Sequence, residues 1–191
     1  IQSRRQRLLC IRDSFLALRL RSLRQAAGWA SLTLLLCLSG KARAEDVYLS
    51  VADFMAQQFA DVPAPAMLWL DETQRQQAVA LSKEDPGFRQ RYWSDGTTSA
   101  WVLNVIGRDH PITLGISVKD GRIASLRVLI YRESRGWEVR HAFFTRQFDQ
   151  AQLENGKLDR SIDGITGATL SVDALQRAAR LALWLDQQLT P

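Results

Sequence analysis

The sequence is poor in sulfur and imidazole: 191 residues include two Cys, two Met and two His. Both cysteines, Cys10 and Cys37, fall in the first 44 residues. The chain after residue 44 has no thiol. That excludes a disulfide framework, a thiol nucleophile and Cys-held zinc or iron–sulfur centres from it. His110 and His141 lack the H-E-x-x-H spacing of a zinc hydrolase. No Gly-x-Ser-x-Gly elbow is present, and no Gly-x-Gly-x-x-Gly turn that would cradle a dinucleotide. Redox chemistry in this body therefore requires a borrowed cofactor. Internal repeats and low-complexity tracts are missing too. What is present is 46% hydrophobic residues, enough for a packed core and too many for a disordered chain.

The net charge of +5 is unevenly placed. Residues 1–44 hold nine Lys/Arg and one acid, a net of +8. The remaining residues hold 25 − 9 = 16 bases and 20 − 1 = 19 acids, a net of −3. The body is mildly acidic, without the basic stripe that binds nucleic acid, so no nucleic-acid partner is expected. The leader has Arg4, Arg5, Arg7, Arg12, Arg19, Arg21 and Arg24, then an apolar run over 26–38, then Ala42-Arg43-Ala44. This is the order of a secretory signal, with cleavage expected after Ala44 and a periplasmic body. The run is shorter than the roughly 20 residues of a comfortable membrane span, though an uncleaved inner-membrane anchor is the alternative.

Periodicity outlines an α+β domain. Val47, Val51, Phe54, Met55 and Phe59 suit a helix over 47–60, broken by Pro63 and Pro65. A short strand is expected over 66–70. Asp71 and Gln74 form a capping-box pattern opening a helix to about Ser82. Strands over 89–93 and 100–106 flank Ser94-Asp95-Gly96-Thr97, a hairpin signal. Ile112, Leu114, Ile116 and Val118 alternate with Thr113, Gly115, Ser117 and Lys119, as in a half-buried strand. Asp120-Gly121 suits a type I′ turn into a returning strand over 123–130. A polar loop, Glu133 to Trp137, precedes a short Phe-rich helix over 142–148, and Asn155-Gly156 marks another turn. A long amphipathic helix is expected over 172–189. The fold class is α+β: a mainly antiparallel curved sheet with flanking helices and a long C-terminal helix. Trp69, Trp93, Trp101 and Trp184 sit in apolar strings and are expected in the core.

The segment Asp163-Gly164-Ile165-Thr166-Gly167-Ala168-Thr169-Leu170-Ser171 stands just before the last helix. Gly164 and Gly167 permit backbone angles and close approaches that other residues forbid. Three hydroxyls cluster beside a helix start, whose free N–H groups and dipole suit an anion. Two readings follow: a phosphate held at Thr169 or Ser171, or a plain Ser/Thr helix cap.

The pattern Asp163-x-x-Thr166-Gly167-Ala168-Thr169 resembles the acceptor motif of the FMN-binding domain family. Its members include flavin-carrying subunits of sodium-pumping quinone reductases and related membrane electron-transport complexes. The resemblance spans about residues 100–185. It includes the Asp120-Gly121 hairpin and Glu133 with its Gly-containing loop, where Ser134 stands in place of the family's Thr. It implies FMN linked through its phosphate to Thr169 by a flavin transferase. It also implies a membrane redox protein as donor or acceptor. Asp163, Gly164, Thr166, Gly167, Ala168, Leu170, Ser171, Glu133 and Trp137 are the candidate cofactor contacts, and no residue is assigned as catalytic or as a metal ligand. The organisation expected is a leader over 1–44, an extension over 45–99 packed on the domain, and an FMN-binding domain over 100–191.

Side-chain roles beyond Thr169 stay open at this level. Trp137 suits stacking on a flavin face or anchoring its loop. Glu133 suits accepting from the cofactor or pairing with Arg132, Arg135 or Arg140. Arg140 or Arg146 suits an FMN phosphate, while these arginines also fit one solvated face. The functions that remain are an exported electron carrier, a secreted binding or sensing module with structural flavin, and an exported hydrolase using His110 or His141.

Overall fold

The computed structural model describes residues 46–189. The leader, its apolar run and both cysteines lie outside these residues. In chain order the elements are β1 (Asp46–Val47), α1 (Val51–Gln58), β2 (Ala66–Trp69), α2 (Glu72–Ser82), β3 (Arg89–Ser94), β4 (Thr98–Ile106), β5 (Pro111–Lys119) and β6 (Arg122–Tyr131). Then come a 3-10 turn (Trp137–Arg140), α3 (Ala142–Thr145), a second 3-10 turn (Arg146–Phe148), β7 (Leu153–Glu154), β8 (Lys157–Leu158) and α4 (Thr169–Gln187). The main sheet has six strands in the order β1-β6-β5-β4-β3-β2, every pairing antiparallel. Two register shifts in the β5–β6 pairing, at Thr113/Leu114 and Ser117/Val118, locally disturb the ladder. The α+β class, the antiparallel sheet and the long final helix are as the sequence indicates.

Local chemistry accounts for most boundaries. The Asp71 carboxylate accepts from the Gln74 backbone amide (2.7 Å), and the Asp71 amide donates in return to the Gln74 side-chain Oε1 (3.0 Å), closing the capping box of α2. Asp120 and Gly121 both take positive φ, as a type I′ turn requires, and join Lys119 to Arg122. Asn155 and Gly156 do the same between β7 and β8.

Two sequence expectations shift at element ends. Val47 does not belong to the first helix: it pairs with Ile130 in the sheet, and Ser50 caps α1 by accepting from the Asp53 amide (3.0 Å). Helical spacing alone could not see that cap. The final helix begins at Thr169, three residues before the first periodic apolar residue, because nothing in Thr169-Leu170-Ser171 opposes helical angles.

Both faces of the sheet are covered. α4 packs a buried stripe, including Val172, Leu175, Ala179, Ala182 and Leu185, against Trp101, Leu103, Ile112, Leu114, Ile116 and Leu126. The opposite face carries a smaller cluster of Phe54, Met55, Phe59, Ala100 and Leu129 under α1. Strand β5 is therefore buried on both faces, not half-buried as its alternation suggests: Ser117 faces Gln58 of α1 and bonds to it at 2.6 Å. Trp101 and Trp184 are core residues, and Trp93 is partly buried against the smaller cluster. Trp69 is not in the core: it is 65% exposed, because β2 turns it to the part of the sheet face that α1 leaves open. An apolar string does not say which face of a strand has a cover.

Arg177 fixes α4 to the end of the sheet. Its guanidinium is nearly buried and donates to the Ser82 and Ile106 carbonyls and to Glu84 and Asp173. Glu84 in turn accepts from the Ile106 amide. Each buried donor thus has a partner, which removes most of the cost of placing a cation there.

Gly115 marks the tightest helix–sheet contact. A Cβ there would stand 2.8 Å from the Phe54 ring. Gly115→Ala should lower stability by about 1–3 kcal/mol through overpacking, read as a drop in the urea midpoint. Pairing it with Phe54→Leu should recover part of that loss.

Candidate functional site

The chain between β8 and α4 makes one tight bend. The Ala168 amide donates to the Ile165 carbonyl (2.9 Å), with Gly167 between them at φ 84°. A turn closed this way needs a residue that tolerates left-handed angles, so Gly167 is required. Gly164 is not required on the same grounds: its φ is not left-handed, and a Cβ there would meet open space.

Helix α4 starts directly after this bend. Its N-cap is Ala168, which has no side-chain acceptor, and no side chain caps the helix. The plain Ser/Thr cap is therefore not what the hydroxyls provide. Val172 is the first residue to close an intrahelical bond, donating to the Ala168 carbonyl at 2.9 Å. The amides of Thr169, Leu170 and Ser171 are the orphan donors of the first turn, at the positive end of a 19-residue helix. Thr169 itself is exposed, and so is Leu170.

The loop after β6 is latched onto this turn. The buried Tyr131 hydroxyl donates to the Arg135 carbonyl (2.6 Å) and lies 2.9 Å from the Ser171 hydroxyl. Gly136 fits between them with φ 79°. A Cβ there would meet Ser171, Tyr131 and Ala168 at 3.0–3.1 Å. The Ser171 hydroxyl is thus committed to the latch, and its share in a ligand site is the backbone amide.

Glu133 holds a second loop. Its Oε1 accepts from the amides of Arg108 (2.6 Å), Asp109 (2.7 Å) and His110 (2.9 Å), which form the β4–β5 turn. Gly107 leaves room for this carboxylate, since a Cβ would stand 2.9 Å from it. Partial burial works to raise the carboxyl's pKa, but the three amides outweigh it and hold the group below the usual carboxylate range. Through Oε1, Glu133 is the anchor of a turn.

These loops enclose a cleft of about 190 Å³ lined by Arg108, Glu133, Ser134, Arg135 and Gly167 through Ser171. Of the residues singled out in the sequence, Glu133, Gly167, Ala168, Thr169, Leu170 and Ser171 meet there. Asp163, Gly164, Thr166 and Trp137 do not line it. Asp163 is exposed, with its amide bonded to Gln147 (2.7 Å). Trp137 is 45% exposed and packs edge-on to His141, which stacks on Phe143. Arg140 lies over the Tyr48 and Trp137 rings at 4.1 and 5.0 Å, and Arg132 donates to Pro111 and Thr113, so neither lines the cleft. Arg108 was not foreseen as a site residue. It stands 61 positions before Thr169 in a short polar turn, and no local pattern links the two.

Residues 107–184 match the family model of the FMN-binding domain. The chain contains an FMN-binding domain. The match starts at the Gly107 turn held by Glu133 and ends within α4, so it covers every wall of the cleft. It supports flavin binding, with FMN as the cofactor. No curated protein matches the chain. Among the described residues, no group of three or more His, Cys, Asp or Glu is placed to hold a metal. None of their helices is long and apolar enough to cross a membrane.

The cleft is small. Its volume is below the ~300–1,000 Å³ of pockets that engulf a whole small ligand. Its donors, two arginines and a helix start, suit an anionic group.

A carboxyl with a depressed pKa stabilises the fold above its unfolded pKa and loses that effect as pH falls through its folded pKa. The Glu133 contribution should therefore be present at neutral pH and fade as pH falls below the ordinary glutamate range. Glu133→Gln should flatten that part of the urea-midpoint profile. At neutral pH it should cost about 1 kcal/mol, less than the roughly 1.5–3 kcal/mol of a buried bond to a charged group, because the carboxylate is partly solvated.

Proposed function

We propose that this protein is an exported flavoprotein carrying FMN as a phosphoester on Thr169. A flavin transferase attaches the cofactor, and the protein passes electrons in the periplasm to or from a membrane redox protein. The observation that bears the proposal is the position of Thr169: an exposed hydroxyl on the first residue of an uncapped helix, inside the cationic cleft of an FMN-binding domain.

The chain's own contribution follows from that position. Thr169 supplies the hydroxyl. The amides of the first turn and the helix dipole favour the remaining negative charge of a phosphodiester, by about 0.3–1 kcal/mol for an exposed site. Ala168 and Gly167 leave the ester unobstructed. Because the cleft is too small to enclose the ring system, a covalent tether accounts for retention where burial cannot. When bound, a flavin takes up two electrons together and releases them singly, which the body lacking thiols and metal clusters cannot do by itself. The basic, then apolar, then small-residue order of residues 1–44 supports export, and it places attachment outside the cytoplasm, where a loose cofactor would be lost.

Protein produced with an active flavin transferase should gain one FMN, less water, by intact mass, and should fluoresce in a denaturing gel. Thr169→Val should abolish both signals without moving the urea midpoint by more than about 0.5 kcal/mol, as for an exposed site. An unmodified Thr169 under these conditions would refute the attachment. For the carrier role, cell membranes should reoxidise the reduced, loaded protein faster than buffer does; equal rates would point instead to a structural or sensing flavin.

A further inference from the structure

The walls of the cleft bring together two cations that are far apart in sequence, Arg108 and Arg135. We propose that these two arginines are the phosphate-recognition pair of the site, and that Glu133 is the positioning residue that keeps Arg108 there. The inference rests on the reading of Thr169 as the attachment point, and it concerns how the flavin phosphate is captured and held.

The charge balance is the first argument. Residues 45–191 carry a net −3, so an anionic ligand meets a weakly repelling body. The cleft lining reverses that sign locally: two arginines against one carboxylate. That carboxylate, Glu133, directs one oxygen at three backbone amides, which partly offset its charge. A flavin phosphate monoester, with a charge of about −1.5 to −2 near neutral pH, gains more from two cations than from the helix end alone.

The second argument is how the cations are mounted. Arg108 is the first residue of the amide triplet bonded to Glu133, so its backbone is pinned while its side chain extends into solvent, 65% exposed. Among the described residues its ion pair is with Asp109, at 3.5 Å; it joins two exposed groups and is worth little, so the guanidinium can turn to a better partner. Arg135 is mounted likewise: Tyr131 holds its carbonyl at 2.6 Å, and the latch ties that loop to the first turn of α4. Backbones fixed by side-chain anchors, with mobile planar forks above them, suit bidentate capture of a phosphate. Arg140 and Arg132, spent on aromatic rings and on strand β5, lack that freedom.

Two measurements test the pair. Unloaded full-length protein is titrated with inorganic phosphate at constant ionic strength and followed by amide NMR. Shifts are expected at Arg108, Leu170 and Ser171 in the wild type, and their loss is expected in the Arg108→Glu/Arg135→Glu double variant. No site-specific shift in the wild type overturns the inference, whether or not Thr169 is ever modified. The initial rate of labelling by the flavin transferase is then compared. Arg108→Glu should slow it about tenfold or more, and Arg108→Lys, which keeps the charge but not the planar fork, should recover only part of the rate. Glu133→Gln, which loosens the turn but leaves both cations, should slow labelling less than Arg108→Glu. Wild-type rates in both arginine reversals, in a preparation where Thr169→Val blocks labelling, overturn the pair while leaving the attachment reading intact. Absence of labelling in the wild type overturns the attachment reading instead.

Discussion

Everything at the site depends on α4 lying with its apolar stripe across the sheet. The helix buries Val172, Leu175, Ala179, Ala182 and Leu185 against β4, β5 and β6. With that face committed to the core, its start cannot move. The chain reaches it through a single glycine bend, and the first-turn amides emerge at the surface beside the ends of β4 and β6. The exposure of Thr169 is thus a by-product of core packing: its hydroxyl is at the surface because the stripe next to it is not. Arg177 reinforces the arrangement from the same helix, tying it to the Ser82 and Ile106 carbonyls and to Glu84.

The second constraint is that the loops opposite the helix are held by polar groups. Tyr131 and Glu133, two residues apart, do complementary work. Tyr131 is inside and fastens the following loop to Ser171; Glu133 is outside and fastens the preceding turn through three amides. Gly107 and Gly136 are the corresponding vacancies, each a place where a Cβ would strike the anchoring side chain. A polar anchor of this kind is sensitive to acid in a way that the core is not. It also allows a rigid rim around a shallow site, which a purely apolar contact would have to build by deeper burial.

A shallow site has consequences for what the protein does with a flavin. Enclosing the rings would hold the cofactor tightly and shield it from a partner. A cleft of about 190 Å³ is too small to enclose them. Under the proposed attachment at Thr169, the phosphate would be fixed and the rest of the ligand left near the surface, which suits transfer between proteins more than chemistry on a bound substrate. The exposed Trp137, packed with His141 and Phe143 and adjoining the Gly136 latch, gives the neighbourhood an aromatic surface, although it does not line the cleft.

Much of this was legible in the chain itself. The two-residue period of β5, the Asp120-Gly121 turn, the Asp71/Gln74 box and the stripe of α4 are local signals. Short-range sterics and hydrogen bonds decide them, so they survive without tertiary information. The segment proposed to carry the flavin was legible for the same reason: its glycine, small residue and hydroxyl are consecutive. What only the tertiary structure decided are the contacts made across long sequence separations. That Val47 joins a strand edge and Trp69 faces solvent depends on which part of the sheet α1 covers. That Glu133 anchors a turn, and that Arg108 and Arg135 reach the same cleft as Thr169, depends on how β4, β5 and β6 end relative to α4. Side-chain spacing within a segment is set by covalent geometry and can be read in one dimension. The meeting of distant loops is set by how a whole core packs, and no run of neighbouring residues encodes it.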